Sequence, residues 1–342
     1  MLMSRREFAG CSVSDDNVAL GFRTALDVVP VRYAETTIVV FRRFGRGRTA
    51  EGWTMIEEQT TFTVDGIEVA AVLTLPEGEN AMRCPAVFTA PGFAGVKEML
   101  IPNYSADLAA GGVASLAFDY PGFGASGGDV RQHIDLPQQL RSFHAALDVL
   151  ARDPRIDSDR IAVWGTSMSG GHAIAVAADD PRVKAVAAII PFIRLTPTGN
   201  LELAPVIVRD ALRRLFRRPG LTIPAAGRPG EVATMNSDGA YEWSQEMARG
   251  AENYRNEVTV ASLPAMLRWS TRKAAARLTV PVLAILAESD TITPPSRVRT
   301  AFADVDTVEY VSYPESHFEL FTDHADAVRK STVEWLVDKI GE

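Results

Sequence analysis

Chemistry first suggests itself at Gly165-Thr166-Ser167-Met168-Ser169. An apolar run, Ile161-Ala162-Val163-Trp164, leads in, and Gly170-Gly171 opens a helical pattern behind it. That is a buried strand, a tight turn with serine at its apex, and a helix. The turn lifts the serine hydroxyl clear of a sheet, and it crowds the positions two before and two after, so both must be small. Gly165 and Ser169 meet that requirement, although glycine is the stricter choice at the second. The N-terminus of the following helix adds a positive dipole end where negative charge would develop. Ser167 is the candidate nucleophile. Ser169, with Ser167 and Gly171 as its small neighbours, is a second register; Ser167 is preferred for its distance from the strand end.

A serine hydroxyl attacks only when a base takes its proton and an acid orients that base. The chain has five histidines. His317 follows the strand pattern Thr307 to Ser312 and the turn Tyr313-Pro314-Glu315-Ser316, which puts it at the carboxyl edge of a sheet, where open α/β sheets bind ligands. His133, His144, His172 and His324 read as packed or solvated. The acid is expected at the end of the preceding strand, in Glu288-Ser289-Asp290. Asp290 is preferred and Glu288 is its rival. An oxyanion hole needs two N–H groups. Met168, directly after the nucleophile, is one candidate. Phe93, in Pro91-Gly92-Phe93-Ala94-Gly95, is the other.

The elements that must position these residues alternate. Thr60 to Val64 and Ile67 to Leu75 pair across an Asp65-Gly66 turn. Pro85 to Ala90, Val113 to Phe118, Arg160 to Trp164, Val183 to Ile190, Val280 to Leu286 and Thr307 to Ser312 read as strands. Tyr104 to Ala110, Leu136 to Ala151, Ser169 to Ala178 and Asp323 to Ile340 read as helices. The pattern predicts an α/β fold: a mostly parallel, doubly wound sheet with an antiparallel N-terminal edge. Between Pro191 and Leu278 the alternation stops. Helices are expected there at Leu203 to Phe216, Tyr241 to Tyr254 and Leu263 to Arg277, forming a lid insertion over about 192–278. Residues 1–53 read as an N-terminal extension and 54–342 as the main domain.

Composition narrows the function classes. The 342 residues are 46% hydrophobic and carry a net charge of −8, without the basic stripe of a nucleic-acid binder. Two cysteines, Cys11 and Cys84, lie outside any C-x-x-C pattern and point to a reducing, cytoplasmic setting. Ser4-Arg5-Arg6-Glu7-Phe8 looks like a twin-arginine export start, but the apolar segment that should follow is missing, so the stretch reads as a solvated arm. No run is long enough for a membrane span. No metal cluster, phosphate loop or dinucleotide fingerprint is present, so no cofactor is expected. The expected partner is a small acyl substrate, with neither nucleic acid nor membrane.

With the order Ser167, Asp290, His317, the chain resembles the serine α/β-hydrolase superfamily, in particular the bacterial branch related to dienelactone hydrolases and prolyl-oligopeptidase catalytic domains. The matching pieces are Pro91-Gly92-Phe93-Ala94-Gly95, Asp119-Tyr120-Pro121-Gly122-Phe123-Gly124-Ala125-Ser126, residues 157–171, Glu288-Ser289-Asp290 and Ser316-His317-Phe318. The resemblance implies cleavage of an ester or thioester through an acyl-Ser167 intermediate. Two departures stand out. Pro91 replaces the histidine frequent before the oxyanion-loop glycine, and serine replaces the cysteine of dienelactone hydrolases proper. Acyl transfer, peptide hydrolysis and carbon–carbon bond hydrolysis use the same residues, and a non-catalytic binding protein is a further alternative.

The insertion offers two features. Tyr241, Trp243, Tyr254, Met266 and Trp269 are expected either to line the substrate pocket or to pack the lid onto the core. Arg209, Arg213, Arg214, Arg217 and Arg218 form a basic cluster, read either as a solvated face or as a site for an anionic substrate such as a coenzyme A or carrier-protein phosphate.

Overall fold

The computed structural model describes residues 26–33, 36–48, 54–77, 83–195 and 203–341. The twin-arginine-like start, Cys11 and part of the expected lid lie outside them. Twelve strands are described: β1 Leu26–Tyr33, β2 Thr36–Arg48, β3 Thr54–Val64, β4 Ile67–Pro76, β5 Cys84–Thr89, β6 Ala114–Phe118, β7 Ile156–Thr166, β8 Val183–Ile189, β9 Thr222–Ile223, β10 Val258–Thr259, β11 Val282–Ala287 and β12 Val308–Tyr313. The α-helices are α1 Ile101–Ala110, α2 Leu136–Arg152, α3 Met168–Asp179, α4 Ala204–Leu215, α5 Ala240–Met247, α6 Leu263–Arg268, α7 Arg272–Ala275, α8 Pro295–Ala301 and α9 Ala325–Ile340.

Ten strands form one sheet in the order β1-β2-β3-β4-β6-β5-β7-β8-β11-β12. Strands β1 to β4 run antiparallel, and β4 meets β6 antiparallel. From β6 to β12 every pairing is parallel. This is the α/β-hydrolase fold, with its mixed edge at the N-terminal side. The central parallel strands are covered on both faces, so their buried stretches are largely apolar, whereas the edge strand β12 keeps Glu309 exposed. In β7, Ile161 and Val163 enter the core shared with α2 and α3, while Ala162 and Trp164 enter the core shared with α1 and α9. Strands β5 and β11 alternate between the same two cores.

The described part of the insertion carries α4 to α7 and the short β9–β10 pair. Two helices differ from expectation. The helix expected over Tyr241 to Tyr254 ends at Met247. That expected over Leu263 to Arg277 is broken at Trp269, whose backbone is extended. There the chain leaves helical geometry to pair with the segment after β8: Ser270 bridges Arg194, and the Thr271 N–H donates to the Ile193 carbonyl at 2.9 Å. A sheet-like tether outweighs continuation of a short helix.

Candidate active site

Each expected catalytic residue, and Phe93, sits just beyond the carboxyl end of a parallel strand. Ser167 follows β7 in a left-handed conformation, φ 52° and ψ −113°, which a non-glycine residue adopts only under strain. The surroundings impose it. The Ser167 N–H donates to the Ile189 carbonyl at 2.9 Å, and the Ser167 carbonyl accepts from Phe192 N at 2.8 Å. A Cβ on Gly165 would lie 2.4 Å from the Ser169 carbonyl carbon, so only glycine fits there. Ser169 itself is wholly buried. Its Oγ accepts from the Thr166 N–H at 2.9 Å and donates to the Thr166 carbonyl at 3.0 Å. The serine that replaces the stricter glycine therefore staples the turn, and its hydroxyl is occupied and buried.

The loops after β11 and β12 are zipped together. Glu288 N donates to Tyr313 O at 2.8 Å, Ser289 N to Glu315 O at 3.1 Å, and Ser289 Oγ to Pro314 O at 2.7 Å. This brings His317 Nδ1 to 2.7 Å from Asp290 Oδ2. A carboxylate only accepts, so Nδ1 carries a proton, and in the neutral ring Nε2 is then the atom with the lone pair. The Asp290 carboxylate also accepts from Ile292 N at 2.7 Å, Thr293 N at 2.8 Å and Thr293 Oγ1 at 2.6 Å. Burial pushes the Asp290 carboxyl up, but the adjacent imidazole and these hydrogen bonds outweigh it and hold the carboxyl below its usual value. Glu288, the rival acid, is exposed and paired with Arg299 at 2.5 Å, away from His317.

Ser167 and His317 line one pocket. No direct hydrogen bond joins them among the described residues. Phe93 lines it too. A Cβ on Gly92 would come within 3.3 Å of the Thr166 carbonyl oxygen and 3.8 Å of Ser167 Cβ, so the loop after β5 lies against the turn that holds Ser167. Among the described residues, the backbone N–H groups of Phe93 and Met168 have no hydrogen-bond partner. Ala94 and Leu100, in and after that loop, share the left-handed backbone of Ser167.

A buried ion pair, not anticipated from the sequence, holds this loop. Asp119, fully buried after β6, accepts from Lys97 N at 2.7 Å, Lys97 Nζ at 2.8 Å and Ala125 N at 2.9 Å. Gly124, at φ 49°, must be glycine, because a Cβ would fall 2.2 Å from the Asp119 carboxylate. A lysine on a loop in an apolar neighbourhood looks like a surface residue in sequence; the aspartate-glycine spacing of residues 119–124 was the available hint.

Of the aromatic residues expected at the pocket, Trp243 and Tyr254 line it. Tyr241 and Trp269 lie outside the pocket lining. Arg228 stacks over the Tyr241 ring at 4.1 Å, and Trp269 packs against His172 with ring centroids 5.8 Å apart. Met266 is buried in the core. The wall also uses Met99, Leu100, Met235 and Phe321, which no sequence pattern singled out. Among the described residues no charged side chain lines it, and none of the arginines of α4 reaches it. His133 bonds Thr259, His144 faces Asp180, His324 bonds Glu315, and His172, on α3, is buried against Phe143 of α2.

Comparison with known proteins finds relatives in sequence and in fold. The family described as serine aminopeptidase, S33 matches residues 85–325. The quorum-quenching protein AidA of Acinetobacter baumannii is 28% identical over 283 residues, covering 80% of this chain and 92% of AidA. A thiohydrolase of Eupenicillium brefeldianum is 30% identical over 249 residues, covering 70% of this chain and 79% of that protein. The solved structure of DcsB with its substrate analogue superposes with a TM-score of 0.71 at 23% identity, covering 90% of this chain and all of that one.

Proposed function

Because the chain belongs to the serine aminopeptidase S33 family of α/β hydrolases, we propose that it cleaves a carboxylic ester or thioester with an apolar, uncharged acyl group, through an acyl-Ser167 intermediate. One observation carries the reading: Ser167, a His317 already oriented by Asp290, and the loop of Phe93 open onto a single pocket whose described wall has no charged side chain. The family contains peptidases, but a peptide's charged termini and backbone amides would find few polar partners here. The thiohydrolase among the relatives supports a thioester as readily as an ester.

In this mechanism His317 Nε2 takes the Ser167 proton as Oγ attacks the acyl carbon. The oxyanion is received by the N–H groups of Phe93 and Met168, each worth about 3 kcal/mol in such sites. His317 then returns the proton to the leaving group. Water, activated by the same imidazole, releases the acid and restores Ser167. Asp290 holds the ring tautomer throughout.

A fluorophosphonate probe with peptide mass mapping tests the assignment. The label is expected on Ser167 and absent in Ser167→Ala, with kcat/KM on a short-chain aryl ester falling about 10⁴-fold or more. Labelling of a folded protein elsewhere, or no labelling together with no turnover, overturns it. Release of free acid without an added alcohol separates hydrolysis from acyl transfer.

A further inference from the structure

Helix α4 presents its apolar face to solvent. Val208, Leu212, Leu215 and Phe216 fall on one side, at 58, 51, 74 and 71% exposure. The other side holds the helix to the body. Asp210, 3% exposed, accepts from Leu221 N at 2.6 Å and pairs with Arg214 at 2.9 Å; Arg213 Nε donates to Pro219 O at 3.0 Å. Val206 and Ile207 pack against the core. A surface helix ordinarily turns its charges outward, so this face is built to be covered.

The surrounding charge says by what. In a chain of net charge −8, residues 204–220 contain five arginines and a single acid, Asp210. Arg209, Arg217 and Arg218 are exposed and form no ion pair among the described residues. We propose that α4 docks peripherally on an anionic phospholipid surface. The four apolar side chains enter the acyl boundary, and Arg209, Arg217 and Arg218 meet headgroup phosphates. No described helix is long and apolar enough to cross a membrane; the expectation of no membrane partner rested on spans, and a helix lying in the interface needs none. A second copy of the chain is a poorer occupant. Symmetric pairing would bring arginine-rich helices together, and four large side chains fall short of the roughly 20–30 residues a side of a stable interface.

Co-sedimentation of the full chain with vesicles tests the proposal. Binding is expected to vesicles of equal parts phosphatidylcholine and phosphatidylglycerol, to fall as salt rises, and to be weak on phosphatidylcholine alone. The variant Leu212→Ser/Leu215→Ser/Phe216→Ser is expected to bind about tenfold or more weakly. Arg209→Glu/Arg217→Glu/Arg218→Glu is expected to lose the preference for anionic vesicles, each arginine being worth roughly fivefold. Circular dichroism checks that both variants stay folded. Wild-type protein left in the supernatant with both vesicle types overturns the proposal, as does equal binding by folded variants. A dimer seen by light scattering and dissolved by the serine substitutions, without vesicle binding, would instead give this face to a second copy.

Discussion

At the scale of the residue, the site is defined by what each polar atom is already doing. Asp290 spends its carboxylate on His317 and on the turn at Thr293, whereas Glu288, two residues earlier, spends its own on Arg299. Their substitutions therefore separate cleanly. Asp290→Asn should lower kcat by about 10⁴-fold on a chromogenic ester, because an amide no longer fixes the imidazole tautomer. Glu288→Gln, which removes an exposed ion pair, should leave kcat within about twofold. Ser169 makes a different point. Ser169→Ala strands the Thr166 N–H and carbonyl in a buried turn and should cost about 1–3 kcal/mol in urea unfolding. These roles were only half legible beforehand: spacing favours Ser167 over Ser169 and Asp290 over Glu288, and the hydrogen bonds show why, Ser169 being tied to Thr166 and Glu288 to Arg299.

At the scale of the element, loops at the carboxyl edge are set by their neighbours as much as by their own residues. The loop after β5 is pinned to the one after β6 through Lys97 and Asp119. Removing one partner of a buried ion pair leaves the other uncompensated, at about 3–5 kcal/mol. Lys97→Met should therefore lower the urea midpoint. If it shifts the loop that carries Phe93, it should also lower kcat by up to about a hundredfold with KM changed less, since displacing the proposed oxyanion donor affects the transition state more than the bound substrate. The helices of the insertion illustrate the limit of periodic patterns. The sequence placed helices where α4, α5 and α6 lie, yet the break at Trp269 follows from a tether to the segment after β8, a contact that no local pattern contains.

At the scale of the whole molecule, the sheet separates two cores, and His172 is sealed within the one beneath α2 and α3. Its ring lies parallel to Phe143, at an interplanar angle of 7°, and its Nδ1–H donates to the Met168 carbonyl at 2.9 Å. Burial holds the imidazole neutral, down at about 4. The unfolded chain takes up this proton as pH falls through the ordinary imidazole range, while the folded chain does not. Stability is therefore lost as pH falls from that range toward about 4, by about 2 kcal/mol between pH 7 and pH 5. Urea unfolding at the two pH values should show this dependence, and His172→Phe should flatten it.

Alternating apolar runs, a serine between small residues, and the order Ser167, Asp290, His317 determined the fold class and named the candidate reacting groups from the sequence alone, because backbone periodicity and the crowding of a tight turn act over a few residues. Tertiary structure alone decided which acid faces His317, which lid aromatics reach the pocket, that Lys97 is buried against Asp119, and that α4 turns its apolar side outward. Each of these depends on which strands and loops become neighbours across the sheet, and that adjacency is written in no single stretch of chain.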